Sequence, residues 1–445
     1  MSILPIDSGR YGSYEMRHVF DEENRLQKWL DVEAAVAKAQ ASVGDIPVMA
    51  AEEIARNANL KTVTVARTRQ IEETIRHDLM SMVVALTESC SGEGRKYVHY
   101  GLTSSDVEDT ALALQLKAAF TILFEDLNQL QVTLSRRIRK HRRLLVVART
   151  HGQHAGVVTL GLKFAVWLAE VRRHEQRLRQ VRERTVVGKI LGIVGTGAGL
   201  GKNALRVQQR ALSRLGLKPA GLVTQVIQRD LHAEVVFCLA LLGSSLDKFA
   251  TEFRNLQRTE IAEAMEAFER TRQVGSSALP SKRNPILCER VSSFAKLLRG
   301  LVVPAMENVS LWHERDLSNS ANERFLFPMS FIILDEMVRL IRDVLDGLEV
   351  DPQNMARNLG LSQGRFLSER VVNLLVTKGV PRQEAYARVR KIATLSSDRR
   401  IPFHDALLKD SFMSSQLKPV EIEKSLDYAT YLGSTNRLID MALAS

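Results

Sequence analysis

A segment without glycine or proline, residues 106–143, reads DVEDTALALQLKAAFTILFEDLNQLQVTLSRRIRKHRR. Its apolar residues recur at intervals of three and four positions, at Leu116, Phe120, Leu123, Leu127, Leu130 and Leu134. This periodicity places them on one face of an α-helix. Asp106 supplies negative charge at the start and the arginines supply positive charge at the end, as the helix dipole favours. The segment therefore predicts a single helix of about three times the average length.

Long helices are predicted elsewhere as well, and strand-like alternation is scarce. The segment from Asp230 to Arg272 has the same pattern, interrupted only by Gly243. After residues 350–352 the sequence changes to short helical segments separated by glycine and proline, at Gly360, Gly364, Gly379, Pro381, Pro402 and Pro419. We predict an all-α protein with an N-terminal helical domain (1–103), a central bundle of long helices (104–349) and a small C-terminal helical domain (350–445).

The composition is that of a folded protein in a reducing compartment. The chain has 445 residues, of which 45% are hydrophobic and 25% are charged, and this balance excludes disorder over most of the length. The cysteines at 90, 238 and 288 are widely spaced, so neither a disulfide framework nor a cysteine-based zinc site is expected. The N-terminal residues form no signal segment, and no apolar run reaches the ~18 residues of a membrane span. We expect a cytoplasmic protein without membrane contact.

The net charge of +11 favours anionic partners but does not choose among them. The densest basic run, residues 136–143, is interpreted as the solvated end of the long helix, with nucleic-acid contact as the alternative. Proteins that bind single strands interleave aromatic residues for base stacking, and this run contains none. Nucleic acid is therefore not the expected partner.

Two sequence patterns resemble a phosphate-binding loop and a metal site, but their residues do not have the spacing that such sites require. Residues 193–202 read IVGTGAGLGK, with Thr196 where a phosphate-binding loop of the Walker A type needs its first glycine. We interpret this segment as a glycine-rich connector. His151 and His154 have no further ligands at metal-site spacing, and His313 lacks the second histidine of a zinc protease motif. No metal site is expected.

Four polar clusters interrupt the helical pattern, at residues 76–78, 99–106, 149–154 and 275–285. Structural alternatives are a helix cap for 99–106 and a mobile loop for 275–285. The last cluster nevertheless combines hydroxyl, cation and amide groups, which bind and polarise a carboxylate. A histidine elsewhere would transfer protons near neutral pH.

The loop GSSALPSKRNP, residues 275–285, resembles the GSSxMPxKxNP loop of the fumarase/aspartase superfamily. Within that superfamily, nearly the whole chain is similar to the adenylosuccinate lyase family. The matching segments are RYGSYEM (10–16), VHYGLTSSDVEDTA (98–111), RTHGQHA (149–155), TQVIQRDLHAE (224–234), WHERDLSNSANER (312–324) and YLGS (431–434). The loop departs from the family at Leu279, which replaces a methionine, and at Ser281, where histidine or glutamine is commoner.

The resemblance implies a β-elimination that releases fumarate. Ser276 matches the general base that removes a proton from the succinyl Cβ, and His151 matches the general acid that protonates the departing nitrogen. Lys282 would stabilise the charge that develops on the adjacent carboxylate. Glu289 matches a glutamate that orients the catalytic histidine.

The resemblance also implies a substrate site with a phosphate subsite. Arg315, Ser320 and Arg324 match the phosphate-binding set, and guanidinium groups pair with phosphate in bidentate fashion. His77 and His99 are further catalytic candidates, and it stays open which contacts phosphate and which assists the acid. The other substrate-binding positions are Arg10, Tyr11, Arg76, His77, Asp78, Thr103, Ser104, Thr150, Gln225, Lys282, Asn284 and Arg290.

The substrates that the resemblance implies are adenylosuccinate, which gives AMP, and SAICAR, which gives AICAR. It further implies a homotetramer in which each active site takes segments from three subunits. This chemistry requires neither a metal nor an organic cofactor. The alternatives are another member of the superfamily, such as a carboxymuconate cycloisomerase or an argininosuccinate lyase, and a basic nucleic-acid-binding or structural protein with a lyase fold.

Overall fold

The structure is a computed structural model that describes residues 4–269 and 271–444. It is predominantly α-helical, which confirms the predicted fold class. The chain contacts divide it into two compact units. Unit 1 comprises Met1–Gln129, Arg173–Lys248 and Arg290–Leu340, and unit 2 comprises Leu130–Arg172, Phe249–Glu289 and Ile341–Ser445. The three-domain division stays a prediction.

Helices of moderate length precede the first long one. They are α1 (Tyr14–Phe20), α2 (Glu22–Val43), α3 (Val48–Asn57), α4 (Val65–Ile75) and α5 (Asp78–Ser89). Side-chain caps fix several starts: Ser13 accepts from the backbone N–H of Met16, and Asp21 accepts from that of Asn24. Such caps contribute about 1 kcal/mol each.

The longest helices follow, with one 12-residue helix among them. They are α6 (Ser104–Lys140), α7 (Leu160–Thr185), α8 (Ala204–Leu215), α9 (Arg229–Leu256), α10 (Ile286–Glu307) and α11 (Ser320–Gly347). The predicted helix of residues 106–143 is therefore confirmed as α6. Its periodic apolar side chains are all fully buried, namely Leu116, Phe120, Leu123, Leu127, Leu130 and Leu134. Burial of each contributes about 2 kcal/mol.

The second long helix was predicted too long. It ends at Leu256, although residues 257–272 contain no glycine or proline. Glu263 instead pairs with Arg149 at 2.7 Å, and Glu266 accepts the backbone N–H groups that open α10. These long-range contacts outweigh the small propensity advantage of continuing the helix.

The strands are short and form two-stranded pairs. β1 (Leu145–Thr150) and β2 (Gln153–Thr159) make an antiparallel hairpin. β3 (Val187–Gly188) pairs in parallel with β4 (Lys218–Pro219), and β5 (Ala264–Met265) pairs antiparallel with β6 (Glu349–Val350).

Short helices form the C-terminal part, as predicted. They are α12 (Pro352–Leu361), α13 (Ser368–Thr377), α14 (Arg382–Asp398), α15 (Phe403–Leu408), α16 (Ser411–Gln416), α17 (Pro419–Ser425) and α18 (Thr435–Ala444). Pro381 and Pro402 stand at the N-caps of α14 and α15, and Pro419 opens α17. Proline suits these positions because it lacks the N–H that a helix start leaves unpaired.

The basic run of residues 136–143 is more than a solvated helix end. Arg137 is buried, and its Nε donates to the carbonyl of Leu345 at 2.5 Å. Arg142 Nη1 lies 2.6 Å from Oδ1 of Asp440 in α18. Both arginines hold parts of unit 2 together. The solvated-end interpretation is wrong for the buried Arg137, whereas Arg136, Arg139, Lys140 and Arg143 are exposed, as that interpretation expects.

The glycine-rich segment 193–202 is closely packed against residues 223–224. Gly195 has φ of 77°, and a Cβ there would lie 2.3 Å from the carbonyl oxygen of Val223 and 2.6 Å from that of Thr224. Glycine is required at this position by its conformation and by this close approach. The segment thus sets the path of the backbone just before Gln225.

Among the described residues, no helix combines the length and hydropathy that a membrane span requires.

Candidate active site

Arg315, Ser320 and Arg324, the predicted phosphate-binding residues, line one cavity of unit 1. The cavity measures about 490 Å³ and is bordered by the starts of α5, α6 and α11. Other predicted substrate-binding residues line it too, namely Arg76, His77, Asp78, Ser104 and Gln225. The fold therefore gathers distant segments of the sequence around one cavity.

Asp78 and Arg324 form an ion pair at this cavity through Oδ2 and Nη2. Asp78 Oδ1 also accepts from the backbone N–H of Leu79 at 2.8 Å. Burial would raise the pKa of Asp78, but the Arg324 guanidinium and the Leu79 N–H outweigh it and lower that pKa. Asp78 is thus an anion at neutral pH that orients Arg324.

The junction between α4 and α5 is tight. Arg76 caps the C-terminus of α4 in a left-handed conformation, with φ of 53°, which costs about 1–2 kcal/mol for a residue with a side chain. His77 is the N-cap of α5, and its Nδ1 accepts from the N–H of Met80 at 3.4 Å. The junction thereby places Arg76, His77 and Asp78 in succession along the cavity.

Arg315 is positioned by Gln225. Its Nη1 donates to Gln225 Oε1 at 3.0 Å, and Gln225 Nε2 donates in turn to the carbonyl of Ile193 at 3.0 Å. Arg315 Nη2 lies 4.0 Å from Glu108 Oε2. Its Nε is buried without a hydrogen-bond partner within residues 4–269 and 271–444. Arg315 therefore keeps donor capacity for an anion.

Glu108 lines the same cavity, although the sequence analysis did not select it. Burial and the neighbouring carboxylates of Asp78 and Asp109 raise its pKa to about 7, against the opposing influence of Arg315 and Arg324. Glu108 thus exchanges a proton near neutral pH.

A buried arginine ties together the helices that border the cavity. Arg229, at the start of α9, donates to both Asp109 oxygens at 2.9 and 3.0 Å. Its Nε donates to Glu323 Oε1 at 2.8 Å. Because Asp109 lies on α6 and Glu323 on α11, this group fixes the N-terminal parts of three helices relative to one another within unit 1.

Thr103 and Ser104 stand at the beginning of α6, where Asp106 fixes the backbone. Asp106 Oδ2 accepts from the N–H of Thr103 at 2.9 Å, and Oδ1 accepts from that of Leu191 at 2.9 Å. Lys189 Nζ lies 2.6 Å from Oδ1, and both side chains are 0% exposed. The capping interpretation therefore holds for Asp106, which positions the two predicted substrate-binding residues.

His99 is held by Glu33, another residue that the sequence analysis did not select. Its Nδ1 lies 2.6 Å from Glu33 Oε1, and its backbone N–H donates to Glu33 Oε2 at 3.1 Å. Burial opposes the charged imidazole, but the Glu33 carboxylate outweighs burial and raises the pKa of His99. The pair therefore favours the protonated form of the imidazole.

Arg10, Tyr11 and Arg290 form a second cluster of predicted residues in unit 1. Arg10 Nε donates to Tyr11 Oη at 3.2 Å. The Arg290 guanidinium lies 5.5 Å from the centre of the Tyr11 ring, and its Nη1 is 3.6 Å from Glu336 Oε1. Two guanidinium groups beside one phenol suit an anionic substrate group.

In unit 2, Thr150 and His151 lie at the tip of the β1–β2 hairpin. His151 and Gly152 form its two-residue loop, and both have positive φ, at 53° and 74°. Positive φ at both central residues is the signature of a type I′ turn, which favours glycine at one of them. His151 is therefore exposed at the tip of a narrow hairpin, whose pairing shifts register between Ala148 and Arg149.

An ion pair with a buried glutamate fixes this hairpin close to its tip. Arg149 Nη1 and Nη2 lie 2.9 and 2.7 Å from the two oxygens of Glu263, whose side chain is fully buried. Asn358 Nδ2 donates to Glu263 Oε1 at 2.8 Å. A bidentate pair of this kind fixes orientation as well as distance, and it holds the end of β1, which leads into the loop with His151.

Ser276 lies in a turn in which two backbone N–H groups donate hydrogen bonds to its side chain. The N–H groups of Ala278 and Leu279 donate to Ser276 Oγ at 3.3 and 3.2 Å. Asn284 Nδ2 donates to the carbonyl of Gly275 at 3.0 Å and so closes the loop. Donors aimed at a hydroxyl oxygen favour its deprotonated form, which is what a serine base requires.

Lys282, Asn284 and Glu289 line one cavity of about 720 Å³ in unit 2. The lysine and the glutamate are exposed. Within the described part of the chain, no hydrogen bond joins His151 to Ser276 or to Glu289. The predicted site residues thus fall into two sets, one within each unit.

No group of three or more histidine, cysteine, aspartate or glutamate residues in the described ranges is arranged to hold a metal ion.

Two family models match the chain. One, described as Lyase, covers residues 9–300, and the other, described as Adenylosuccinate lyase C-terminus, covers residues 364–442. The adenylosuccinate lyase of Pyrococcus abyssi is 46% identical over 440 residues, which are 99% of this chain and 97% of that protein. The chain belongs to the adenylosuccinate lyase family.

Further comparisons agree with membership of this family. The adenylosuccinate lyase of Pyrococcus horikoshii is 49% identical over 88% of this chain and 87% of that protein. The crystal structure of a 3-carboxy-cis,cis-muconate lactonizing enzyme from Pseudomonas putida matches with a TM-score of 0.90 and 30% identity, covering 99% of this chain and 98% of that one. This member of the adenylosuccinate lyase family is therefore an enzyme, a lyase with the fumarase/aspartase fold.

Several residues of this lyase that support the candidate site were not selected from the sequence. They are Glu33, Glu108, Arg149, Asp109, Arg229 and Glu263. Glu108, Asp109, Arg149 and Arg229 carried some signal, because they lie in segments that resemble the family. The others act through partners far away in the sequence.

Proposed function

We propose that this chain cleaves adenylosuccinate to AMP and fumarate, and SAICAR to AICAR and fumarate. The observation that carries the proposal is the cavity that Arg315, Ser320 and Arg324 line together. Two guanidinium groups and a hydroxyl suit a phosphate monoester, which both substrates carry. The names of the relatives support the same substrate class.

Ser276 is the proposed general base. Its oxygen takes the proton from the succinyl Cβ, and the N–H groups of Ala278 and Leu279 stabilise the alkoxide that this step requires. The electron pair left on Cβ places negative charge on the neighbouring carboxylate. Lys282 stabilises that charge, and loss of one such donor typically costs about 3–4 kcal/mol.

His151 is the proposed general acid. As the Cβ electron pair forms the double bond of fumarate, the C–N bond breaks and the nitrogen takes a proton from His151. Glu289 orients the imidazole. The site geometry supports a division of the open histidine roles. His77 lines the cavity with both arginines and would contact phosphate, whereas His99, held by Glu33, would assist the acid.

The active enzyme is proposed to be a homotetramer with shared active sites. Apolar side chains on α9 and α10 support this, since Phe237, Val303 and Met306 are 51%, 62% and 63% exposed in the single chain. His151 also lacks a hydrogen bond to Ser276 within the described residues, so a second copy would supply one of them. A monomer that retains full activity at assay concentration would refute the tetramer. The cytoplasmic location remains a prediction.

The test is fumarate release from adenylosuccinate by wild type, Ser276→Ala and His151→Ala. We expect turnover by wild type and a loss of about 10²–10⁴-fold in each variant, the usual contribution of a general acid or base. Ser277→Ala is the matched control, because this exposed neighbour lies in the same loop. No turnover by a folded wild type would reject the substrate, and equal losses in the Ser276 and Ser277 variants would reject the base.

A second candidate follows from the likeness to the muconate lactonizing enzyme. Assays with 3-carboxymuconate and with argininosuccinate separate the candidates. We expect neither compound to be turned over, because neither carries the phosphate that Arg315 and Arg324 suit. Turnover of either, without turnover of adenylosuccinate, would replace the proposal.

A further inference from the structure

The cavity proposed to bind phosphate is not positively charged overall. Among the described residues, its lining holds the guanidinium groups of three arginines and the carboxylates of four acidic residues, with one histidine. The acidic residues are Glu72, Asp78, Glu108 and Asp316. With the histidine neutral, the carboxylates exceed the guanidinium groups by one charge. A phosphate dianion would therefore enter a cavity that repels it unless one carboxylate becomes neutral.

Glu108 is the carboxylate best placed to lose its charge. Two of the other carboxylates have partners that stabilise their charged form. Asp78 forms an ion pair with Arg324, and Asp316 accepts hydrogen bonds from the backbone N–H groups of Trp312 and Ser318 at 2.6 and 2.7 Å. Glu108 accepts no hydrogen bond from the described residues, and its nearest cation is Arg315, at 4.0 Å.

Charged groups on the elements around Glu108 shift its pKa in both directions. Asp78 on α5 and Asp109 on α6 disfavour its anion, whereas Arg315 and Arg324 favour it. Together with burial, this balance raises its pKa to about 7, so protonation of Glu108 costs little free energy at neutral pH.

A second cavity, of about 140 Å³, borders Glu108 on another side. There α2 contributes Arg25, α9 contributes Arg229 and α11 contributes Glu323. Arg229 is neutralised by Asp109 and Glu323. From α4 and the turn after it, Glu72, Arg76 and His77 line the first cavity.

We propose that Glu108 takes up a proton from solvent when a phosphate monoester binds, and that its neutral carboxyl group then donates a hydrogen bond to the phosphate beside Arg315. The inference rests on the phosphate subsite of the proposed function. It makes substrate and product binding dependent on pH in the physiological range. Binding weakens as pH rises above neutrality, because the proton must then be taken from a more dilute source.

The size of this effect follows from linkage. A carboxyl group with a pKa of about 7 is about nine-tenths protonated at pH 6 and about one-tenth protonated at pH 8. If binding requires the proton, AMP affinity carries a penalty that grows about tenfold between these pH values. The ionisation of the phosphate itself affects wild type and variant alike and cancels in their ratio.

The experiment is calorimetric titration of AMP into the wild-type enzyme and Glu108→Gln at pH 6, 7 and 8. Glutamine mimics the protonated carboxyl group. We expect the ratio of the wild-type Kd to the variant Kd to rise about tenfold from pH 6 to pH 8. Glu72→Gln is the matched control, because it removes the same charge from the same cavity and is expected to leave the wild-type pH dependence in place. A ratio for Glu108→Gln that does not change with pH, or an equal change in Glu72→Gln, overturns the proposal.

A measurement on wild type alone keeps the proposal falsifiable if the variant fails to fold. Titrations at pH 7.5 in buffers with different ionisation enthalpies count the protons taken up with AMP. We expect an uptake of about three-quarters of a proton for a carboxyl group with a pKa of about 7. AMP binding without uptake overturns the inference and leaves the phosphate subsite standing, whereas no AMP binding at any pH overturns both.

Discussion

Replacement of Asp106 by asparagine probes the buried ion pair at the start of α6. Asp106 Oδ1 and Lys189 Nζ are 2.6 Å apart, and both side chains are 0% exposed. Asparagine keeps an acceptor oxygen but removes the negative charge, so the buried ammonium group would have neutral partners such as the carbonyl of Gly192, at 3.3 Å. Removal of one partner of a buried pair costs ~3–5 kcal/mol, so we expect Asp106→Asn to destabilise the protein by about 4 kcal/mol.

The companion variants separate the charge effect from the loss of a cap. Lys189→Met should cost less, because the Asp106 carboxylate keeps the N–H groups of Thr103, Leu191 and Gly192. The double variant Asp106→Asn, Lys189→Met removes both charges and should be more stable than Asp106→Asn alone by at least about 1 kcal/mol.

Urea unfolding followed by circular dichroism measures these differences, and the KM for adenylosuccinate reports on Thr103 and Ser104. We expect KM to rise in Asp106→Asn, since the backbone at 103 and 104 loses its anchor. A double variant as unstable as Asp106→Asn alone would refute the reasoning, because the uncompensated ammonium group would then not be the source of the cost.

Three further predictions address the site. Arg324→Ala should raise the KM for adenylosuccinate about 10- to 100-fold with a smaller change in kcat, as loss of a charged hydrogen bond worth ~1.5–3 kcal/mol implies; an unchanged KM would reject the phosphate assignment. Gly152→Ala should cost about 1 kcal/mol of unfolding free energy through its positive φ, because the structure leaves open space for the added methyl group, and Gly152→Asn should cost less; equal costs would argue against the type I′ turn. Since Glu33 raises the pKa of His99, their pairing stabilises the fold fully below the ordinary pKa of about 6.5 and ever less as pH rises through the raised value. Glu33→Gln should therefore lose more stability at pH 6 than at pH 9, and losses that match at the two pH values would contradict the pairing.

Local pattern was sufficient to predict the long helix α6 and the short C-terminal helices. The periodic leucines of α6 are buried where their spacing places them, and Pro381, Pro402 and Pro419 stand at helix starts. The segment after Leu256 was predicted incorrectly because propensity describes only neighbours in sequence. Its course is set by Glu263, whose partner Arg149 is 114 residues away.

The same limit applies to the site. Motif resemblance selected Ser276, His151 and Lys282 as candidates because those residues belong to compact segments. It did not identify Glu33, which holds His99 across 66 residues, since a single glutamate on a helix has no distinctive local pattern. Nor did the sequence show that His151 stands on a two-residue turn, because β1 (LVVART) and β2 (QHAGVVT) lack the strict apolar–polar alternation that indicates a strand.

The close packing at Gly195 has a consequence for genetics. A side chain there would push back the carbonyl groups of Val223 and Thr224, and with them Gln225, which holds Arg315. A selection for loss-of-function alleles should therefore recover substitutions at residue 195, although no reacting atom is nearby. Compensating mutations would arise in residues 223–224 rather than in the loop 275–285. Paired changes of this kind would reveal residues that support the proposed phosphate subsite from a distance.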